Sequence, residues 1–179
     1  MKSVVITGSA RGLGFSMAKL FREADYNVII SDLFEDKLIE SKDELEKLDG
    51  KGLVLYKVCD VTKEADLQDL ISCCDDNFGN IDIWINNAGV NQPDKAIWEL
   101  SSKEIDLVVD VDLRGAIIGS KLAMNYMMRK GKGAIYNIEG YGSNDAMMLG
   151  LSIYGSSKRA ITYFTQALAK ESEERNTGK

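Results

Sequence analysis

Val4-Val5-Ile6-Thr7-Gly8-Ser9-Ala10-Arg11-Gly12-Leu13-Gly14 is the stretch whose reading decides the fold. Residues 2–7 are apolar and rich in β-branched side chains, residues 8–14 break the run, and Phe15, Ala18, Leu20 and Phe21 then recur at helical spacing. This is strand, tight turn, helix. In a parallel sheet such a turn sets backbone N–H groups and a positive helix end beside any bound anion, and its glycines let a pyrophosphate approach. The spacing is G-x-x-x-G-x-G, not the commoner G-x-G-x-x-G, so an ordinary tight turn is the competing reading.

The alternation continues outward. Strands are expected at 27–31, 53–58, 81–86 and 133–138, and helices at 35–48, 63–77, 101–129 and 154–175, with Gly115 and Gly119 as weak points of the third of these. Residues 139–152 form a glycine- and methionine-rich loop. Continuously apolar strands belong to a parallel sheet covered on both faces, so the class is α/β, doubly wound. The 179 residues suit one domain, 1–179.

Composition narrows the function. A formal charge of −6 leaves no basic patch for nucleic acid or an anionic membrane, and no apolar run approaches the roughly 18 residues of a membrane span. The first residues lead straight into a strand and not into a secretory apolar region, so the expected address is cytoplasmic. Histidine is absent, and Cys59, Cys73 and Cys74 lack C-x-x-C spacing. A zinc site or a Cys-His nucleophile is therefore close to excluded, no metal is expected, and the thiols are expected reduced, in or near the core. Small-molecule chemistry is what remains.

Tyr154-Gly155-Ser156-Ser157-Lys158 puts a phenol and an ammonium on one helical face. The cation should draw the phenol down from its usual value of about 10, making Tyr154 a usable proton donor or acceptor. Asp32 closes the second strand, as a ribose acceptor or as a helix cap. A carboxylate there repels a 2′-phosphate and favours NAD over NADP, while Arg11 beside the glycine turn pulls the other way. Asp60 can accept from an adenine amino group or cap the next helix. Asn86-Asn87-Ala88-Gly89 lies at the crevice mouth or simply forms a turn. Met124, Met127, Met128, Met147 and Met148 either line an adaptable pocket or pack helix faces.

Taken in order, Thr7-Gly8-x-x-x-Gly12-x-Gly14, Asp32, Asp60, Asn86-Asn87-Ala88-Gly89 and Tyr154-x-x-x-Lys158 resemble the short-chain dehydrogenase/reductase family over essentially the whole chain. The resemblance implies a Rossmann-like sheet of order 3-2-1-4-5 and hydride transfer between NAD, or less favourably NADP, and a small carbonyl or alcohol substrate. It implies Tyr154 as general acid and base, and Lys158 on the nicotinamide ribose, lowering the tyrosine pKa. Cofactor contacts are implied at Gly8, Ser9, Arg11, Gly12, Leu13, Gly14, Asp32, Asp60, Val61, Asn87, Ala88 and Gly89. A homodimer or homotetramer is implied, with Ile117, Ile118, Ala160, Ile161 and Phe164 as a candidate apolar face.

Three departures from the family pattern stand out. Val111-Asp112-Leu113-Arg114-Gly115 occupies the place of a Val-Asn-Leu-x-Gly pattern, so Asp112 keeps an acceptor and loses the amide donor of that catalytic position. Gly140-Tyr141-Gly142 occupies the neighbourhood of the family's catalytic serine, which leaves Ser143 as the hydroxyl candidate to polarise a carbonyl. The segment Tyr136-Asn137-Ile138-Glu139-Gly140-Tyr141-Gly142-Ser143 is similar to the chlorophyll b reductase-like branch. Finally, two further C-terminal strands and a substrate-covering loop that the family has are missing from this chain. The rival expectation is a non-catalytic dinucleotide-binding module, sensing redox state or holding a partner; Gly140 and Asp112 favour it, and the Tyr154–Lys158 pair opposes it.

Overall fold

A computed structural model describes residues 1–176. They cluster as two compact units, residues 1–88 with 118–138, and residues 89–117 with 139 onward.

The first unit holds the sheet. Its strands are β1 (Ser3–Thr7), β2 (Asn27–Asp32), β3 (Val54–Val58), β4 (Ile83–Asn86) and β5 (Ala134–Asn137), and its helices are α1 (Gly12–Glu23), α2 (Glu35–Glu46), α3 (Glu64–Phe78) and most of α5 (Ala116–Lys130). The strands are parallel in the order β3-β2-β1-β4-β5. This is the expected doubly wound order. Side chains alternate across a strand, so Val4 and Ile6 of β1 join Ala18 of α1 and Leu38 of α2 in one apolar layer, while Val5 joins Leu67 of α3 and Tyr126 of α5 in the other. Burying each of Ile6, Ile29 and Ile30 completely stabilises the fold by roughly 1.5–3 kcal/mol. Cys59 and Cys74 are buried, and burial pushes both thiols up to about 12.

The second unit contains a 3₁₀ turn (Ile97–Glu99), α4 (Ser102–Val108), a π-helical segment (Val109–Gly115) and α6 (Ser152–Asn176). One long helix was expected from 101 to 129. Instead, the track passes through a wide-turned segment, a feature that often marks functional sites. Its start is well signalled: Ser101 Oγ accepts from the Glu104 amide while Glu104 accepts from the Ser101 amide at 2.8 Å, a reciprocal capping box. No helix among the described residues is long and apolar enough to cross a membrane.

Candidate active site

In the first unit the three glycines of the β1–α1 turn have different causes. Gly8 has φ +61, and a Cβ there would stand 2.6 Å from Ala88 Cα. At Gly14 a Cβ would stand 2.5 Å from both Gly8 O and Asn87 Nδ2. These two let the turn close on the end of β4. Gly12 has φ +60 with no atom within 4 Å of its Cβ position, so its side of the turn is open. The first turn of α1 holds no acidic residue, and Arg11 at its N-cap makes no side-chain cap bond. Such a helix end, with unpaired amides and a positive dipole, suits an anion such as a pyrophosphate.

Ser9 faces inward: its hydroxyl donates to Ile6 O at 2.7 Å and accepts from the Ser31 amide at 2.9 Å. Arg11 and Leu13 are exposed. Asp32 does not cap α2, whose N-cap position is Phe34; its carboxylate accepts from the Ala10 amide at 3.3 Å and the Leu33 amide at 2.8 Å. It thus stands against the glycine turn. Asp60 forms a local turn, accepting from the amide and hydroxyl of Thr62 at 3.1 and 2.7 Å, and α3 begins without a side-chain cap. Burial alone would raise the Asp60 carboxyl, but the Thr62 bonds and Lys63 outweigh it and hold it low. Val61, next to it, is half-buried.

Asn86 and Asn87 do more than form a turn. Asn87 Nδ2 donates to Thr7 O and Gly8 O at 3.0 and 2.8 Å, while the amides of Asn87 and Ala88 both donate to Thr7 Oγ1. Asn86 is buried; it accepts from Trp84 Nε1 at 2.8 Å and donates to Ser120 Oγ and Asn137 Oδ1 at 2.9 and 2.8 Å. Ser120 and Asn137 escaped the sequence reading, since only tertiary contact joins them to Asn86.

In the second unit Tyr154 and Lys158 share a face of α6, with the ammonium 5.5 Å from the ring centroid. Gln92, also missed, positions this helix: its Oε1 accepts from the amides of Ile153 and Tyr154 at 2.8 and 3.4 Å, filling first-turn donors that a helix leaves unpaired. Asp112, on the π-helical segment, is buried, with Oδ1 accepting from the Val90 amide at 2.7 Å and Oδ2 3.4 Å from Lys158 Nζ. Burial raises the Asp112 carboxyl against the opposing pull of Lys158 and the Val90 amide. Gly89 borders this pair; a Cβ there would lie 3.4 Å from Lys158 Nζ.

Two expectations are corrected. Lys158 does not draw the phenol down: Tyr154 is held above its ordinary value, first by burial and then by the Asp112 charge, because the cation that should acidify it is paired with that carboxylate. Ser143 does not offer a free hydroxyl either, since Oγ donates to Gly140 O at 2.7 Å. Gly140 is the residue against the tyrosine; a Cβ there would stand 2.4 Å from the Tyr154 hydroxyl.

The methionine patch also divides. Met127 is buried in the core of the first unit, while Met147 and Met148 line a groove of about 950 Å³ in the second, with Tyr141, Leu149, Arg159 and Tyr163. Of the candidate dimer face, Ile161 is 1% exposed and so is not available to a partner, while Ile118 is partly buried against the first unit's core.

The chain is 34% identical to a chloroplastic chlorophyll(ide) b reductase of Oryza sativa subsp. japonica over 94% of its own length and 50% of the relative's. It is 34% identical to carbonyl reductase family member 4 of Xenopus tropicalis, covering 98% of this chain and 71% of that one. The crystal structure of levodione reductase superposes with a TM-score of 0.89 at 26% identity, over 95% of this chain and 66% of the other. The chain spans between 38% and 50% of the chlorophyll(ide) b reductases of rice that it matches. A model of the short chain dehydrogenases matches residues 2–177, and with the sheet order, the glycine turn and the Tyr154–Lys158 pair this places the chain in the short-chain dehydrogenase family.

Proposed function

We propose that this chain interconverts a small carbonyl compound and its alcohol, with a nicotinamide dinucleotide as hydride carrier and Tyr154 as general acid and base. The observation that carries the reading is the Tyr154–Lys158 pair on one face of α6, in a family whose relatives above are named as reductases. The dinucleotide, when bound, supplies or accepts the hydride. The open side of Gly12 and the first amides of α1 would hold its phosphates. Asp32 would accept from the adenosine ribose and repel a 2′-phosphate, which supports NAD over NADP; exposed Arg11 is the opposing argument. Asp60 and Val61 would meet the adenine, Asn87, Ala88 and Gly89 would line the crevice, and Lys158 would hold the nicotinamide ribose. Within a homo-oligomer, Ile117, Ile118, Ala160 and Phe164 remain candidates for the shared face.

A second reading, the non-catalytic dinucleotide-binding module, is favoured by Gly140, which lies against Tyr154 and brings no side-chain hydroxyl of its own to polarise a carbonyl. One experiment separates the two. Oxidation of NADH and NADPH is measured against a panel of aldehydes and ketones with the wild type and Tyr154→Phe. Turnover should favour NADH and fall by about 10²-fold or more in the variant, with dinucleotide affinity unchanged. Full activity in the variant ends the assignment, tighter NADPH overturns the cofactor preference, and binding without any turnover supports the module.

A further inference from the structure

Four residues from three segments of the second unit make up the surroundings of the phenol. Tyr154 and Lys158 come from α6, Asp112 from the π-helical segment, and Gly140 from the loop before α6. The Asp112 side chain is fully buried and that of Lys158 is 6% exposed, so their 3.4 Å ion pair is shielded from water. Screening by solvent is weak there, and each charge is felt strongly by its neighbours. A lone ammonium at this place would favour phenolate. Paired with a carboxylate, it exerts little net field on the ring.

The rest of the surroundings adds no competing buried charge. Lys103, Glu104 and Asp106 on α4, Asp110 and Arg114 beside Asp112, and Glu139 in the loop are all partly or fully exposed. Glu104 is itself tied to Lys95 at 2.6 Å. Water screens these groups. Beyond burial, which comes first, the charge balance at Tyr154 is therefore governed by Asp112 and Lys158.

We infer that Asp112 is a positioning residue that engages the Lys158 ammonium, so that Tyr154 stands ready as a proton donor and the chain is adapted to carbonyl reduction. This rests on the function proposed above and adds a direction to it. Reduction adds a hydride from the reduced nicotinamide to the carbonyl carbon and the Tyr154 proton to the carbonyl oxygen. The products are the alcohol, the oxidised dinucleotide and a phenolate that solvent reprotonates. The overall equilibrium is unchanged; what Asp112 sets is the pH at which each direction finds tyrosine in its starting form. Alcohol oxidation needs the phenolate, and a phenol held above its ordinary value of 10.0 supplies little of it at neutral pH.

The test does not depend on a known substrate. Tyrosinate absorbance is titrated in the wild type and in Tyr154→Phe, and the difference isolates the Tyr154 midpoint. It should lie above 10 in the wild type; a midpoint below that overturns the inference without any further variant. Asp112→Asn keeps the shape and removes the charge, and, measured against the double variant lacking the tyrosine, it should lower the midpoint by about one pH unit or more. No shift, or an upward shift, also overturns it, and would mean that the carboxyl carries no charge where it lies. With a carbonyl substrate in hand, the decline of the reduction rate with rising pH should begin earlier in Asp112→Asn by the same interval. Failure of Tyr154→Phe to impair turnover refutes the proposed function instead, and the tyrosinate titration still reports on Asp112.

Discussion

At the scale of single residues, the clearest constraint is the empty space a glycine leaves. Gly140 lies where a methyl group would stand 2.4 Å from the Tyr154 hydroxyl and 3.1 Å from Lys158 Cγ. Gly140→Ala must therefore displace the phenol. Displacements of about 1 Å in reacting groups cost on the order of 10²-fold in rate. Carbonyl turnover is expected to fall by about that factor, while NADH affinity, read by fluorescence titration, stays constant; unimpaired turnover would show that the phenol needs no such clearance. The tyrosine and lysine were legible in the sequence because their partnership is local, one helical turn. Asp112 was marked as well, but only through its place in the family pattern. Asp112 precedes Tyr154 by 154 − 112 = 42 positions, and only folding reveals that its carboxylate offsets the lysine. The sign of the phenol's shift was misread for that reason.

Among elements, the join of β4, β5 and α5 depends on one side chain. Asn86 satisfies Trp84, Ser120 and Asn137 together, and Gly119 lets α5 approach, since a Cβ there would lie 2.4 Å from Asn86 Oδ1. Asn86→Ala strands buried polar partners, at a cost of about 2–3 kcal/mol. Urea unfolding should show a lower midpoint with an unchanged slope; a variant as stable as the wild type would mean the partners re-pair. The sequence marked Gly119 as a weak point of its helix, and the close approach explains why glycine is there. Helix starts were legible where the signal was local, as in the Ser101–Glu104 box. At α6 it was distant: Gln92, 61 positions upstream, takes the Ile153 amide, and the helix begins at Ser152 rather than at Tyr154.

For the molecule as a whole, the parallel doubly wound class was legible from continuous apolar strands separated by helices, and the strand order came from the family resemblance. The division into two compact units was not legible, because no linker or composition change marks the boundaries at Ala88 and Ile138. The thiols supply a test of global packing. Cys59 and Cys74, both held near 12 by burial, should resist alkylation in the native protein, with Cys73, half-buried and raised less, the site that labels. Mass spectrometry should count at most one adduct before denaturation and three after it; rapid triple labelling of the native protein would contradict this core.

The sheet's register has a consequence for biosynthesis. Val4 of β1 pairs with Val28 on one side and Ile83 on the other, so during synthesis β1 waits 83 − 4 = 79 positions for its second neighbour. Every adjacent pair of strands is parallel, which excludes hairpins as early footholds and slows the search for native pairings. A nascent chain stalled before β4 emerges would expose the free edge of β1, a surface that chaperones have reason to cover.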